Sequence, residues 1–148
     1  MTRYLFILAT VIPLTTSNAQ EHKNNLSGNW STTCNNGTTL KIISMDESFL
    51  EVNKNQIYIK TKAEKDKDST NLVLVDPEVL GPGGMRLKWN SFSRTLPIAV
   101  VKNISDRTIQ FEWIGFYDES SSSRTWTNEP DFFTLGDNTF QKCSDIKP

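Results

Sequence analysis

Two cysteines, Cys34 and Cys143, stand near the two ends of an otherwise cysteine-free chain of 148 residues. If they pair, the bridge closes a loop of about 110 residues, and the chain-entropy account values such a constraint at roughly 4–5 kcal/mol. That is a large share of a typical domain's stability. The geometric demand is sharper. The Cα atoms of a disulfide lie within about 7 Å of each other, so the first and last strands would have to be neighbours. Two free thiols, or two metal ligands, are the alternative, but a zinc site needs more Cys and His partners than a chain with one histidine, His22, supplies.

The N-terminus favours the bridge. Arg3 precedes an apolar run from Tyr4 to Leu14, and Ser17-Asn18-Ala19 follows as a small-x-small site. This is the pattern of a secretory leader over residues 1–19, with an apolar part too short to span a bilayer. The residue immediately after Ala19 is Gln20 rather than cysteine, so a lipid-attachment signal is not expected. An exported chain with an even cysteine count points to a disulfide, and a periplasmic or secreted location is expected. Residues 20–148 are long enough for one domain. The chain holds 16 Lys and Arg against 17 Asp and Glu, and Arg3 falls in the acid-free leader, so the remainder carries a formal charge of −2. That balance lacks the basic footprint of a nucleic-acid binder. No later segment is long and apolar enough for a transmembrane helix, so the mature protein is expected to be soluble rather than integral to a membrane.

Residues 26–43 read as a first β-hairpin. Leu26, Gly28, Trp30, Thr32 and Cys34 share one parity, which puts Trp30 and Cys34 on one side of a strand. Asn35-Asn36-Gly37 supplies the turn. A second hairpin is expected from Phe49–Val52 and Gln56–Thr61 around Asn53-Lys54-Asn55. The mixed-charge run 62–69 reads as a solvated loop and 70–75 as an apolar strand covered on both faces. Proline and glycine make 76–84 a long loop. Met85-Arg86-Leu87-Lys88-Trp89 alternates as a strand with Met85, Leu87 and Trp89 inward and Arg86 and Lys88 outward. Residues 96–101 form a strand that starts or edges at Pro97, and 108–116 form the clearest strand, with Ile109, Phe111 and Trp113 inward. Residues 118–123 read as a flexible serine loop, and segments around 132–135 and 139–143 finish the domain. No stretch has a helical period. Short strands at this spacing, with the ends joined, predict an all-β fold: an antiparallel up-and-down barrel of about eight strands closed by Cys34–Cys143.

Leu26-Ser27-Gly28-Asn29-Trp30, opening the first strand of a secreted barrel of this length, resembles the Gly-x-Trp opening of lipocalin-like (calycin) proteins. The same stretch is similar to avidin-type barrels, and the frame of Trp30, Cys34, Gly37 and Leu40 with Phe140 and Cys143 is similar to small periplasmic proteins, including C-type lysozyme inhibitors. The calycin resemblance implies that Trp30 plugs one end of the barrel beneath a basic side chain. Lys142 and Arg124 are both candidates.

Familiar catalytic signatures are missing from the sequence. His22 is the only histidine, no Gly-x-Ser-x-Gly, phosphate loop or HExxH is present, and Pro82 removes a donor from the Gly81–Gly84 run. Neither a metal site nor a cofactor is expected, and an enzyme ranks last among three readings. The first reading is a non-catalytic exported binding protein that masks a protein partner, such as a cell-wall-degrading enzyme or a toxin. Asp76, Glu78, Leu80 and Gly83 would form its partner-binding loop. The second is a lipocalin-like carrier of a small apolar ligand, with Trp89, Trp113, Phe111 and Trp126 lining the cup. The same aromatics could instead fill the barrel as packing. Asn25, Asn29, Asn36 and Asn103 begin Asn-x-Ser/Thr sequons, which matter only in a eukaryotic secretory pathway.

Overall fold

The structure, a computed structural model, describes residues 26–34, 39–53, 57–127 and 138–144. The expected leader, His22, the turns at 35–37 and 54–55 and the segment 128–137 lie outside the described residues. The strands are β1 (Gly28–Ser31), β2 (Leu40–Ile42), β3 (Ser48–Asn53), β4 (Ile57–Asp66), β5 (Ser69–Leu80), β6 (Pro97–Ser105), β7 (Thr108–Trp113), β8 (Phe116–Asp118), β9 (Ser123–Thr125) and β10 (Thr139–Cys143). Eight of them close an antiparallel barrel in the order β1-β10-β7-β6-β5-β4-β3-β2, and β8 pairs with β9 as a separate hairpin. Among the described residues no helix is long and apolar enough to cross a membrane.

The closing seam is β1 against β10, with Asn29 opposite Cys143, Trp30 opposite Lys142 and Ser31 opposite Gln141. Cys34 and Cys143 are bonded across 109 residues of sequence, their Cα atoms 5.3 Å apart. Trp30 and Cys34 do not share a side, however. Trp30 is 1% exposed in the core, whereas Cys143 lies across from Asn29, on the opposite side of the pleat. The bond therefore sits on the barrel's outer side. β1 stops at Ser31, and the chain folds back from there. Ser31 is covered as a result, and its hydroxyl lies 3.1 Å from that of Thr39.

Of the two basic candidates, Lys142 is the one against Trp30, its Nζ 5.3 Å from the ring centroid. The indole N–H donates to the Leu26 carbonyl at 2.9 Å. Gly28 has φ +141°, and a Cβ there would stand 2.5 Å from Lys142 Cε. The glycine two residues before the tryptophan thus gives the lysine stem its path to the ring. Arg124 serves elsewhere. It donates to the carbonyls of Pro97 and Gly115 at 2.9 and 2.7 Å, pinning β9 to the barrel wall.

Inward positions alternate along β4, where Ile57, Ile59, Thr61 and Ala63 are buried, and along β7, where Ile109 and Phe111 are. Four segments depart from the sequence expectations. Residues 62–66 extend β4, and Glu64, Lys65 and Asp66 pair with Asn71, Thr70 and Ser69. Exposed backbone can pair whatever charges project from it, and Lys67 at φ 46° makes the tight turn. Asp76, Pro77, Glu78, Val79 and Leu80 belong to β5, not to a loop. Register shifts flank Pro77, and the pairing of β5 with β6 extends no further along β5 than Val73. Pro77 is therefore on a locally unpaired edge, where a missing N–H costs least. Residues 85–89 are not a strand: two single-turn 3₁₀ helices, Gly84–Arg86 and Trp89–Ser91, replace it, and Met85 is 65% exposed rather than inward. The expected strand 108–116 breaks at Ile114-Gly115, where Gly115 has φ +90° and no room for a Cβ, and the serine loop is the turn of β8 and β9.

Substituting Cys34 and Cys143 by Ser should lower the unfolding free energy in urea by about 4–5 kcal/mol; a loss under about 1 kcal/mol would contradict a closure that depends on the bridge. Gly28→Ala should cost about 1–3 kcal/mol through the positive φ and the displaced lysine stem, measured in the same way.

Candidate functional site

Antiparallel alternation places the turns 67–68 and 106–107 at one end of the barrel and the 81–96 connection, with β8 and β9, at the other. At this second end Phe116 is the hub of an aromatic cluster. Trp89 and Trp113 meet its ring edge-on at 5.3 and 5.4 Å, Phe92 stacks on it at 4.9 Å, and Trp126 lies at 6.5 Å. These geometries are the favoured aromatic ones. Two of the indole N–H groups are spent on backbone: Trp89 donates to Gly84 O at 2.8 Å and Trp113 to Trp126 O at 2.7 Å.

The four residues expected to line a ligand cup are therefore split. Trp89, Trp113 and Trp126 gather on Phe116, while Phe111 stacks on Phe140 at 4.8 Å. Leu50, Val52, Ile59, Leu72, Ile109, Phe111 and Phe140 each have 0% exposed surface. A void able to hold one water would leave accessible area on its walls, so none adjoins these side chains.

The expected partner-binding residues follow one ridge. Asp76 is exposed and lies 3.8 Å from Arg94. Glu78 is exposed beside Tyr58, Leu80 packs partly against the core, and Gly83 O accepts the N–H of Arg86 at 3.3 Å. Burial, with Glu78 and Glu51 nearby, raises the Tyr58 pKa above its ordinary value. The hydroxyl of Ser120, with lesser contributions from Ser91 and backbone N–H groups, lowers that of Asp118. Sequence reasoning assigned Met85, Arg86 and Lys88 to a strand, with Met85 inward and the two cations outward, and did not name them as site residues. All three are exposed, Met85 and Arg86 on the first 3₁₀ turn and Lys88 just before the second; Met85 is 65% exposed, with Val79 at 64% and Leu96 at 39% on the flanking segments. Among the described residues neither Arg86 nor Lys88 has a carboxylate partner. A shallow depression runs along Leu87, Lys88, Trp89, Asn90 and Ser91. The signal available in the sequence was Gly81-Pro82-Gly83-Gly84, which makes a strand starting at Met85 improbable.

Among the described residues no group of three or more His, Cys, Asp or Glu is placed to hold a metal ion. Comparison with family models, with curated proteins and with solved structures returns no match.

Two outcomes are expected at this end. Trp89→Phe keeps the ring contacts but removes one of the two bonds that Gly84 O accepts, the other coming from the Leu87 N–H, and should cost about 0.5–1.5 kcal/mol in urea denaturation. Glu78→Gln should lower the Tyr58 pKa toward the ordinary 10.0, read by ultraviolet difference titration against Tyr58→Phe. Because the folded-state value is the raised one, folding favours the neutral phenol. The associated stability is complete below the unfolded value and is lost as pH rises through the folded one.

Proposed function

We propose that the protein is a non-catalytic exported binding protein that masks a protein partner, as an inhibitor of a cell-wall-degrading enzyme or an immunity protein against a toxin does. The observation that carries this reading is the exposure of Val79, Met85, Arg86, Lys88 and Leu96 over 79–96. Exposed apolar side chains and two cations without partners among the described residues stand on turns held by the Trp89–Gly84 bond and the Phe116 cluster. Rigid presentation lowers the ordering cost of binding. Exposed apolar groups ringed by charge are what interaction sites use. Hydrolases that cut glycans work with a pair of carboxylates in a cleft, and Arg86 and Lys88 are complementary in charge to such a cleft.

Export, to a periplasmic or extracellular space, is part of the same proposal. The disulfide supports it. So is kinship with lipocalin-like barrels, supported by the closed eight-stranded topology and by Lys142 over the Trp30 of the Gly-x-Trp opening. The carrier reading gains less support, since Phe111 is fully buried and Trp89 nearly so, and Trp89, Trp113 and Trp126 pack on Phe116.

Immobilised protein incubated with cell-envelope extract should retain one enzyme or toxin. An Arg86→Glu, Lys88→Glu variant should bind it at least about tenfold more weakly with an unchanged circular dichroism spectrum. Elution of the bait alone, or equal retention by the variant, would count against the proposal.

A further inference from the structure

At the opposite end of the barrel, next to the closing seam, a partly open cleft of about 370 Å³ is lined by Ser27, Gly28, Arg107, Lys142, Cys143 and Ser144. We propose that this cleft binds a small organic oxyanion, a carboxylate or a phosphate ester. It is separate from the surface at 79–96 and does not depend on it.

Three features carry the assignment. The first is a fixed ammonium. Lys142 is half-buried, its stem passes over Gly28, and its Nζ stands 5.3 Å from the centroid of an indole that is 1% exposed and tethered to Leu26 O. The ring covers one side of the ammonium, leaving its remaining donors for a ligand. The second is an arginine lining the same cleft on an anchored backbone: Arg107 O accepts the N–H of Lys142 at 2.9 Å, and Arg107 N–H donates to Ser105 Oγ at 3.3 Å. A guanidinium offers paired donors that match carboxylate or phosphate oxygens.

The third feature is the charge balance. Ion pairs among the described residues are made by Lys60 with Glu47, Lys62 with Glu64 and Arg94 with Asp76. Lys142 and Arg107 make none there, although Asp106 is the next residue in the chain. Both residues line one cleft, Lys142 half-buried and Arg107 exposed, and like charges brought to one concave wall favour an anion there. The volume is about twelve times a water's share of liquid, roughly 30 Å³. It suits a compact acid better than a bare ion.

The test is a titration of the full protein followed by two-dimensional amide NMR, using phenyl phosphate, succinate and sodium chloride at matched ionic strength. Saturable shifts of the Trp30 indole N–H and of the Arg107 and Ser144 amides are expected with phenyl phosphate or succinate, and not with chloride. Saturation by the first alone identifies a phosphate-ester site, and saturation by the second a carboxylate site. Lys142→Met and Arg107→Gln should each weaken binding at least fivefold, while Lys88→Gln, at the far end, should leave it unchanged. If Lys142→Met does not fold, Arg107→Gln decides. Linear shifts equal to those in chloride, or affinity that survives Arg107→Gln, would overturn the assignment.

Discussion

Everything in this barrel depends on β1 meeting β10. An open sheet would leave two strand edges with unpaired N–H and C=O groups, and closure removes both at once. The strands that close it are short. β1 has 4 residues and β10 has 5, so the seam has few ladder bonds with which to offset the entropy of joining two remote parts of the chain. Two further contacts reinforce it from opposite sides of the pleat. The disulfide holds the outer side, and the Lys142–Trp30 contact the inner one.

The same arrangement gives the two ends different chemistry. At the seam end, one tryptophan, one lysine and one glycine fit together so closely that each determines the position of the others, and the cationic cleft is a by-product of that fit. At the far end β5 outruns β6, and the connection between them crosses the barrel mouth on two 3₁₀ turns. The aromatic side chains of that connection face down onto Phe116, while Met85, Arg86 and Lys88 face out. Packing inside the barrel thus sets what is displayed outside it.

The fold class was legible because its two signals are physical ones. Period-two burial, as in Ile57-Tyr58-Ile59 and Ile109-Gln110-Phe111, reports one buried face, and two cysteines at the extremes report neighbouring ends. Details that depend on pairing partners were not. Nothing local tells Lys142 from Arg124 as the partner of Trp30; the register of β10 decides it. Pro77 reads as a breaker until the local absence of a β6 neighbour is known. The alternation in Met85–Trp89 is one of residue type only: on the turns Met85 and Arg86 are both exposed, and Leu87 and Trp89 alone pack inward. Cys34 was assigned to the face of Trp30 by extending β1 three residues past its end. At the same connection Arg86 and Lys88 read as outward and are exposed, whereas Met85 reads as inward, in a strand that does not form, and is exposed as well.

The closure is tested most directly by hydrogen exchange at individual amides, compared between the oxidised protein and the protein with its bridge reduced. The seam account predicts that reduction strips protection first from β1 and β10, at the seam-facing amides of Asn29, Ser31, Gln141 and Cys143 above all, while the β3, β4, β5 and β6 ladder retains most of its own. Equal loss across all strands, or an undiminished β1–β10 seam, would contradict it.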